Sequence, residues 1–360
     1  MVNLLLEEPL KSYDQVVEIL EKYNIPYTKL AKDWQGNFII ATKVKSDVLI
    51  TAGAHGDEHA GVVSSINLAI EGKHIVIPAR DPAGVNGFIY ALKFLLDKEV
   101  KSKDYAYIID LIKRNADWYH QSNEFIVGIF GNIALCAMPP IDPWKGEDLI
   151  NEVLQRELDK DERLREKLEG MRIIMPANLP YSEGVDLFDR AFTSFVINGR
   201  VENYNSLFDI PDEKIPYDFK KLKEFINKIS PKAVFDLHEG FGDKFYAFVP
   251  VSKEEFNRDY DEIFRKIKAE LLRNGLKYLT VKEALNELPK ERVYAYNDER
   301  EIAVILHFGK RCRSLSCYAY KELGAFSITF ETGLKARFKE RVMMSYIATK
   351  TAISSLNLNS

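Results

Sequence analysis

The residues with most capacity for chemistry lie at His55-Gly56-Asp57-Glu58-His59, directly after the apolar run Val48-Leu49-Ile50-Thr51-Ala52. A His and a Glu three residues apart on a turn can share one metal ion, and Zn²⁺ accepts both imidazole nitrogen and carboxylate oxygen. The plainer reading is a polar turn that caps a helix. Two ligands do not make a site, so the remaining donors must come from elsewhere in the chain. Asp236-Leu237-His238-Glu239-Gly240 ends a second apolar run, and strand alternation puts Asp236 and His238 on one side. A third run, Phe326-Ser327-Ile328-Thr329-Phe330, ends in Glu331. Two histidines and one glutamate form a three-ligand zinc set with a position left open, the arrangement of hydrolytic zinc enzymes. A separate carboxylate must then carry protons, and Glu331 can do so. A zinc-bound imidazole also needs a partner on its other ring nitrogen, for which Asp186 and Asp236 are candidates.

The elements that must position these groups follow from hydropathy pattern. Short apolar runs ending in polar turns, alternating with amphipathic stretches, predict an α/β fold. In open α/β sheets, ligands are handled at the carboxyl ends of strands. We expect one domain over 1–360, with a mixed, twisted sheet of about eight strands and helices on both faces. A helical insertion is expected over 95–170, interrupted at Pro139-Pro140-Ile141-Asp142-Pro143.

The chain has 360 residues, is 46% hydrophobic, and carries a net charge of −4 with both signs mixed, which speaks against a nucleic-acid partner. No apolar run approaches the roughly 20 residues that span a bilayer, so no membrane association is expected. The stretch from Met1 to Glu8 has neither a basic start nor a long apolar core, unlike a signal peptide. Cys136, Cys312 and Cys317 are few, odd in number and not at CxxC spacing. They are expected as ordinary thiols, and this points to a cytoplasmic location.

Taken together, these motifs resemble the zinc carboxypeptidase superfamily, which includes carboxypeptidase A-type peptidases and succinylglutamate desuccinylase/aspartoacylase-type deacylases. The family pattern is His-x-x-Glu, an Asn-Pro-Asp-Gly-like turn, Gly-Val-Asp-Leu-Asn-Arg-Asn-Phe, a distant His, and a strand ending in Glu. This chain offers His55-Gly56-Asp57-Glu58, then Asp81-Pro82-Ala83-Gly84, then Gly184-Val185-Asp186-Leu187-Phe188-Asp189-Arg190-Ala191-Phe192, then His238, then Glu331, in that order. The resemblance implies zinc held by His55, Glu58 and His238, Asp186 behind His55, and Glu331 as general base. It also implies a substrate that is a peptide or a small N-acylated amino-acid-like compound.

Departures fall on the substrate side. Phe188 and Asp189 stand where the peptidases have the Asn-Arg pair that grips a terminal carboxylate, and Arg190 follows one residue later. The family's electrophilic Arg has no direct match, and Arg80 lies just before the turn. Arg80 and Arg190 are therefore the candidates for holding substrate. His59 is expected behind the ligands rather than among them. Tyr318 and Tyr320 are the candidates for a phenol near the reacting carbonyl, although both also suit core packing. The implied reaction is zinc-dependent amide hydrolysis by a carboxypeptidase-like peptidase. Its rivals are a deacylase or amidase of small N-acylated compounds, and a degenerate homologue that binds a ligand without turnover.

Overall fold

A computed structural model describes residues 4–138, 146–176, 189–294, 300–309 and 312–356. The chain opens with helix α1 (Asp14–Lys22) and the hairpin of β1 (Tyr27–Lys32) and β2 (Phe38–Thr42). Strand β3 (Val48–Ala52), helix α2 (His59–Ile70) and strand β4 (Ile75–Ile77) follow, and β3 pairs in parallel with β4. All of β3 is buried, as is α2 from His59 to Ala69, so neither is striped, and the buried face of α2 includes His59, Ser64, Ser65 and Asn67.

Helices α3 (Pro82–Asn86), α4 (Phe88–Leu96) and α5 (Tyr105–Asn115) lead into strands β5 (Trp118–Gln121), β6 (Ile126–Phe130) and β7 (Ile133–Ala137). Then come α6 (Gly146–Lys160), α7 (Glu162–Leu168), β8 (Arg172–Pro176), β9 (Ala191–Ile197) and β10 (Arg200–Asn203). The segment 95–170 is thus not purely helical. The runs 126–130 and 133–137 flank a turn at Gly131-Asn132, where Gly131 has φ 61°, and they pair as an antiparallel hairpin. Helices α6 and α7 pack on one face of this second sheet, and α4 and α5 on the other.

A 3-10 turn (Tyr204–Asp209) and helix α8 (Tyr217–Ile229) return the chain to the first sheet. It is completed by β11 (Ala233–Gly240), β12 (Tyr246–Val249), β13 (Val304–Leu306) and β14 (Phe326–Gly333), with helices α9 (Arg258–Arg273), α10 (Val281–Glu287), α11 (Leu315–Leu323) and α12 (Phe338–Ser355) between and after them. The order β13-β12-β14-β11-β3-β4 gives six strands, and β10-β9-β8-β7-β6-β5 gives six more in the second sheet. The expected mixed α/β architecture is present, but among the described residues its strands are divided between two six-stranded sheets and the separate β1–β2 pair rather than forming one sheet of about eight.

Alternation along the central strands decides which face each residue serves. Phe235 and Leu237 of β11 join the core beneath α1, α2, α9 and α12, whereas Val234 joins the core beneath α8 and α11. Helices cover both faces, as expected. Asp236 and His238 therefore share the α8/α11 face, and Glu239 looks toward α2 and α12.

One expectation is corrected. Cys312 and Cys317 form a disulfide with Cα atoms 5.2 Å apart, and Cys136 is buried and free. The pair straddles the start of α11, whose first turn brings the two residues together without any CxxC spacing. The inference of a reducing compartment from unpaired cysteines loses its footing. Among the described residues, no helix is long and apolar enough to cross a membrane.

Candidate metal centre and its surroundings

The turn after β3 carries His55, and Glu58 occupies the N-cap of α2. A Cβ at Gly56 would meet the backbone of Gly84 at 2.0 Å, so two glycines let this turn lie directly against α3. The two motifs most distinct in the sequence are thereby fastened to each other.

His55 Nδ1 lies 2.8 Å from Glu58 Oε1, and His238 Nδ1 lies 2.8 Å from Glu58 Oε2. Donor atoms of His55, Glu58 and His238 all fall within 4.8 Å of one another, and all three residues are buried. The two imidazoles present the same ring nitrogen to the shared carboxylate. Their other nitrogens are held from behind: His55 Nε2 by Asn203 Oδ1 at 2.9 Å, and His238 Nε2 by Asp236 Oδ2 at 3.0 Å. This is the support a metal-ligating imidazole requires. Glu58 Oε2 is buried and makes no well-directed hydrogen bond despite its closeness to His238. The donor set, its burial and this poorly satisfied oxygen fit a three-donor N,N,O site for a metal ion.

The buried charges at this centre compensate one another. Burial alone would push the Glu58 carboxyl up, but His238 and His55 outweigh it and hold it down at about 2. Burial disfavours the charged form of His238, yet Glu58 and Asp236 raise its pKa well above the ordinary value. Asp236 also resists burial, because Arg80 and His238 hold its carboxyl below the usual range.

Glu331 is the register partner of His238 on the adjacent parallel strand. Its side chain is buried, and burial pushes its carboxyl up to about 8 against the pull of His238. A Cβ at Gly240 would stand 1.9 Å from the Tyr246 hydroxyl and 2.9 Å from Glu331 Oε2, so both groups crowd onto that glycine. Tyr318 and Tyr320 instead bond to Asn227 and Glu255.

Two substrate candidates are placed differently from expectation. Arg80 is fully buried, and its guanidinium donates to Asp236 Oδ1 and Oδ2 at 2.9 and 2.7 Å and to Asn205 Oδ1 at 3.0 Å. Its guanidinium is thus engaged by Asp236 and Asn205, behind His238. Arg190 is buried and donates to the Leu10 carbonyl at 3.4 Å, and its charge helps burial keep His59 neutral. Asp186 lies outside the described residues.

Sequence reasoning missed Asn203, Asn205 and Tyr246. The asparagines sit where β10 passes into the 3-10 turn, and Asn205 Nδ2 is 3.3 Å from His238 Nε2. The one available signal for Tyr246 was its place on a short strand just after Gly240.

No family model matches the chain, and no curated protein does. Among solved structures, it is similar to a metallo-carboxypeptidase from Burkholderia cenocepacia at 10% identity and a TM-score of 0.41, covering 96% of this chain and 69% of that one. Bovine thrombin-activatable fibrinolysis inhibitor, solved with tick carboxypeptidase inhibitor, aligns at 12% identity and a TM-score of 0.43 over 97% of this chain and 98% of that one. The murein-tripeptide amidase MpaA from Escherichia coli O157 aligns at 12% identity and a TM-score of 0.38, covering 91% and 92%. These similarities concern the course of the chain, and the roles of residues here rest on their own geometry.

Proposed function

We propose that this protein is a zinc-dependent hydrolase of amide bonds, of the carboxypeptidase-like metallopeptidase kind. The observation that carries the reading is the meeting of His55, Glu58 and His238 beside Glu331, from three strand ends far apart in the chain. His55 and His238 would hold the ion through Nδ1, and Glu58 through its carboxylate. A zinc ion held there supplies Lewis acidity, which polarises a carbonyl and makes water nucleophilic near neutral pH.

The chain's own residues do the rest. Asn203 and Asp236 fix the imidazoles in the orientation that presents Nδ1. Arg80 neutralises Asp236, so the carboxylate can sit fully buried behind His238. Glu331 is the general base: it takes a proton from the attacking water and returns it to the leaving amine. Its raised pKa suits a group that both accepts and donates near neutrality, and a nearby dication pulls it the other way, toward the ionised form. The substrate is a peptide or a peptide-like amide.

The commitment of Arg80 to Asp236 and Asn205 favours a second reading on the substrate side, a deacylase or amidase of small N-acylated compounds. It leaves C-terminal carboxylate recognition without that arginine. The test is zinc-loaded protein assayed against C-terminally blocked and unblocked peptides and against N-acyl amino acids, with Glu331→Gln as control. Hydrolysis lost by about 10²–10⁴-fold in the variant, at unchanged zinc content, supports the reading. Zinc-loaded protein inert across the whole panel overturns it in favour of a binding role.

A further inference from the structure

Glu58 stands at the N-cap of α2 but makes no side-chain cap, because its carboxylate is turned to His55 and His238. An N-cap side chain ordinarily accepts from the second or third amide of its helix, and an amide left orphaned in a buried place is costly. Here the second amide, Ala60 N–H, is taken by a residue from another element: Glu239 Oε1 accepts from it at 2.6 Å. Glu239 follows His238 on β11 and points to the opposite face. Its other oxygen pairs with Arg341 of α12, whose guanidinium lies over the Phe338 ring at 5.2 Å, and both charged side chains are wholly buried.

We propose that Glu239, with Arg341 as counter-ion, is a positioning residue of the metal centre. By capping α2 in place of Glu58, it frees the Glu58 carboxylate for the metal. It also ties the Glu58 turn to the strand that carries His238, so the separation of two ligands is set from behind. The proposal rests on the zinc reading given above.

Two double variants isolate the cap, since both delete the ion pair and only one keeps an acceptor for Ala60. They are Glu239→Gln with Arg341→Met, and Glu239→Leu with Arg341→Met. Zinc affinity is read by competition with a chromophoric chelator. Hydrogen–deuterium exchange of the peptide containing Ala60 is read on metal-free protein. The Gln variant is expected within about threefold of wild type, and the Leu variant about 10–100-fold weaker in zinc affinity, with faster exchange at Ala60. A Leu variant that binds zinc as tightly as wild type overturns the proposal. Wild-type protein that binds no zinc overturns the metal reading instead, while exchange still reports on the cap: equal rates in all three proteins overturn it. Should the Leu variant not fold, Glu239→Asp keeps the charge beside Arg341 but is one methylene short of Ala60. Unchanged zinc affinity in that variant overturns the proposal equally.

Discussion

His238 and Glu331 are register partners on adjacent parallel strands, β11 and β14, and their side chains share one face of the sheet. One carries a candidate metal donor and the other a buried carboxyl with a raised pKa. Backbone pairing, rather than a flexible loop, therefore sets the separation of ligand and base. Arrangements built on strands hold such geometry more tightly than arrangements on loops.

Removing one ligand should empty the centre. Purified wild-type protein is expected to carry close to one zinc per chain by inductively coupled plasma mass spectrometry, and His238→Ala close to none, with the circular dichroism spectrum kept. Equal metal in both proteins would place the ion elsewhere.

Arg80→Met should destabilise the fold strongly. The substitution leaves the fully buried Asp236 with a charge that only His238, Thr51 and its surroundings can compensate. Breaking a buried pair from one side costs about 3–5 kcal/mol. Urea unfolding of the metal-free protein measures this, and a loss below about 1 kcal/mol would show that Asp236 does not depend on the arginine.

Asp81 makes a separate prediction about pH. Burial pushes its carboxyl up to about 6 from an ordinary 3.8, although Arg172 and Thr193 pull it down. The native state therefore binds the proton more tightly than the unfolded chain. Its contribution to stability is whole below about pH 4, is lost as pH rises toward 6, and stays lost above. The stability of wild type relative to Asp81→Asn should fall by about 3 kcal/mol between pH 4 and pH 7. A flat difference over that range would contradict the assignment.

Gly240→Ala should damage the site at its base. The new methyl would stand 1.9 Å from the Tyr246 hydroxyl, at the end of a buried and rigid ring, and 2.9 Å from Glu331 Oε2. Overpacking of this kind costs about 1–3 kcal/mol, and relief must come from moving Tyr246 or Glu331. Hydrolytic activity is expected to fall more than zinc affinity, because the atoms nearest the new methyl belong to Tyr246 and Glu331. A variant with normal activity and normal stability would show that Tyr246 has room to yield.

The sequence by itself determined the local parts of this centre. His55 and Glu58 lie within one turn, so their proximity follows from spacing. Asp236 and His238 lie two apart on one strand, so their shared face follows from alternation. Each strand end was legible because an apolar run breaks off at ionisable residues, and that pattern also marked Glu331. Only the tertiary structure decided which neighbours those residues meet. Arg80 read as a substrate grip because its turn resembled a binding loop, but the packing of β4 against β3, itself paired with β11, brings it onto Asp236. Asn203 and Asn205 drew no reading from the sequence, because their use depends on a second sheet, three of whose strands lie within the stretch expected to be helical. The cysteines read as unpaired because the helix start that closes them has no sequence spacing of its own. Contacts within a turn or along a strand are fixed by backbone periodicity. Contacts between distant segments depend on how the sheets and helices pack, and hydropathy alone does not encode that.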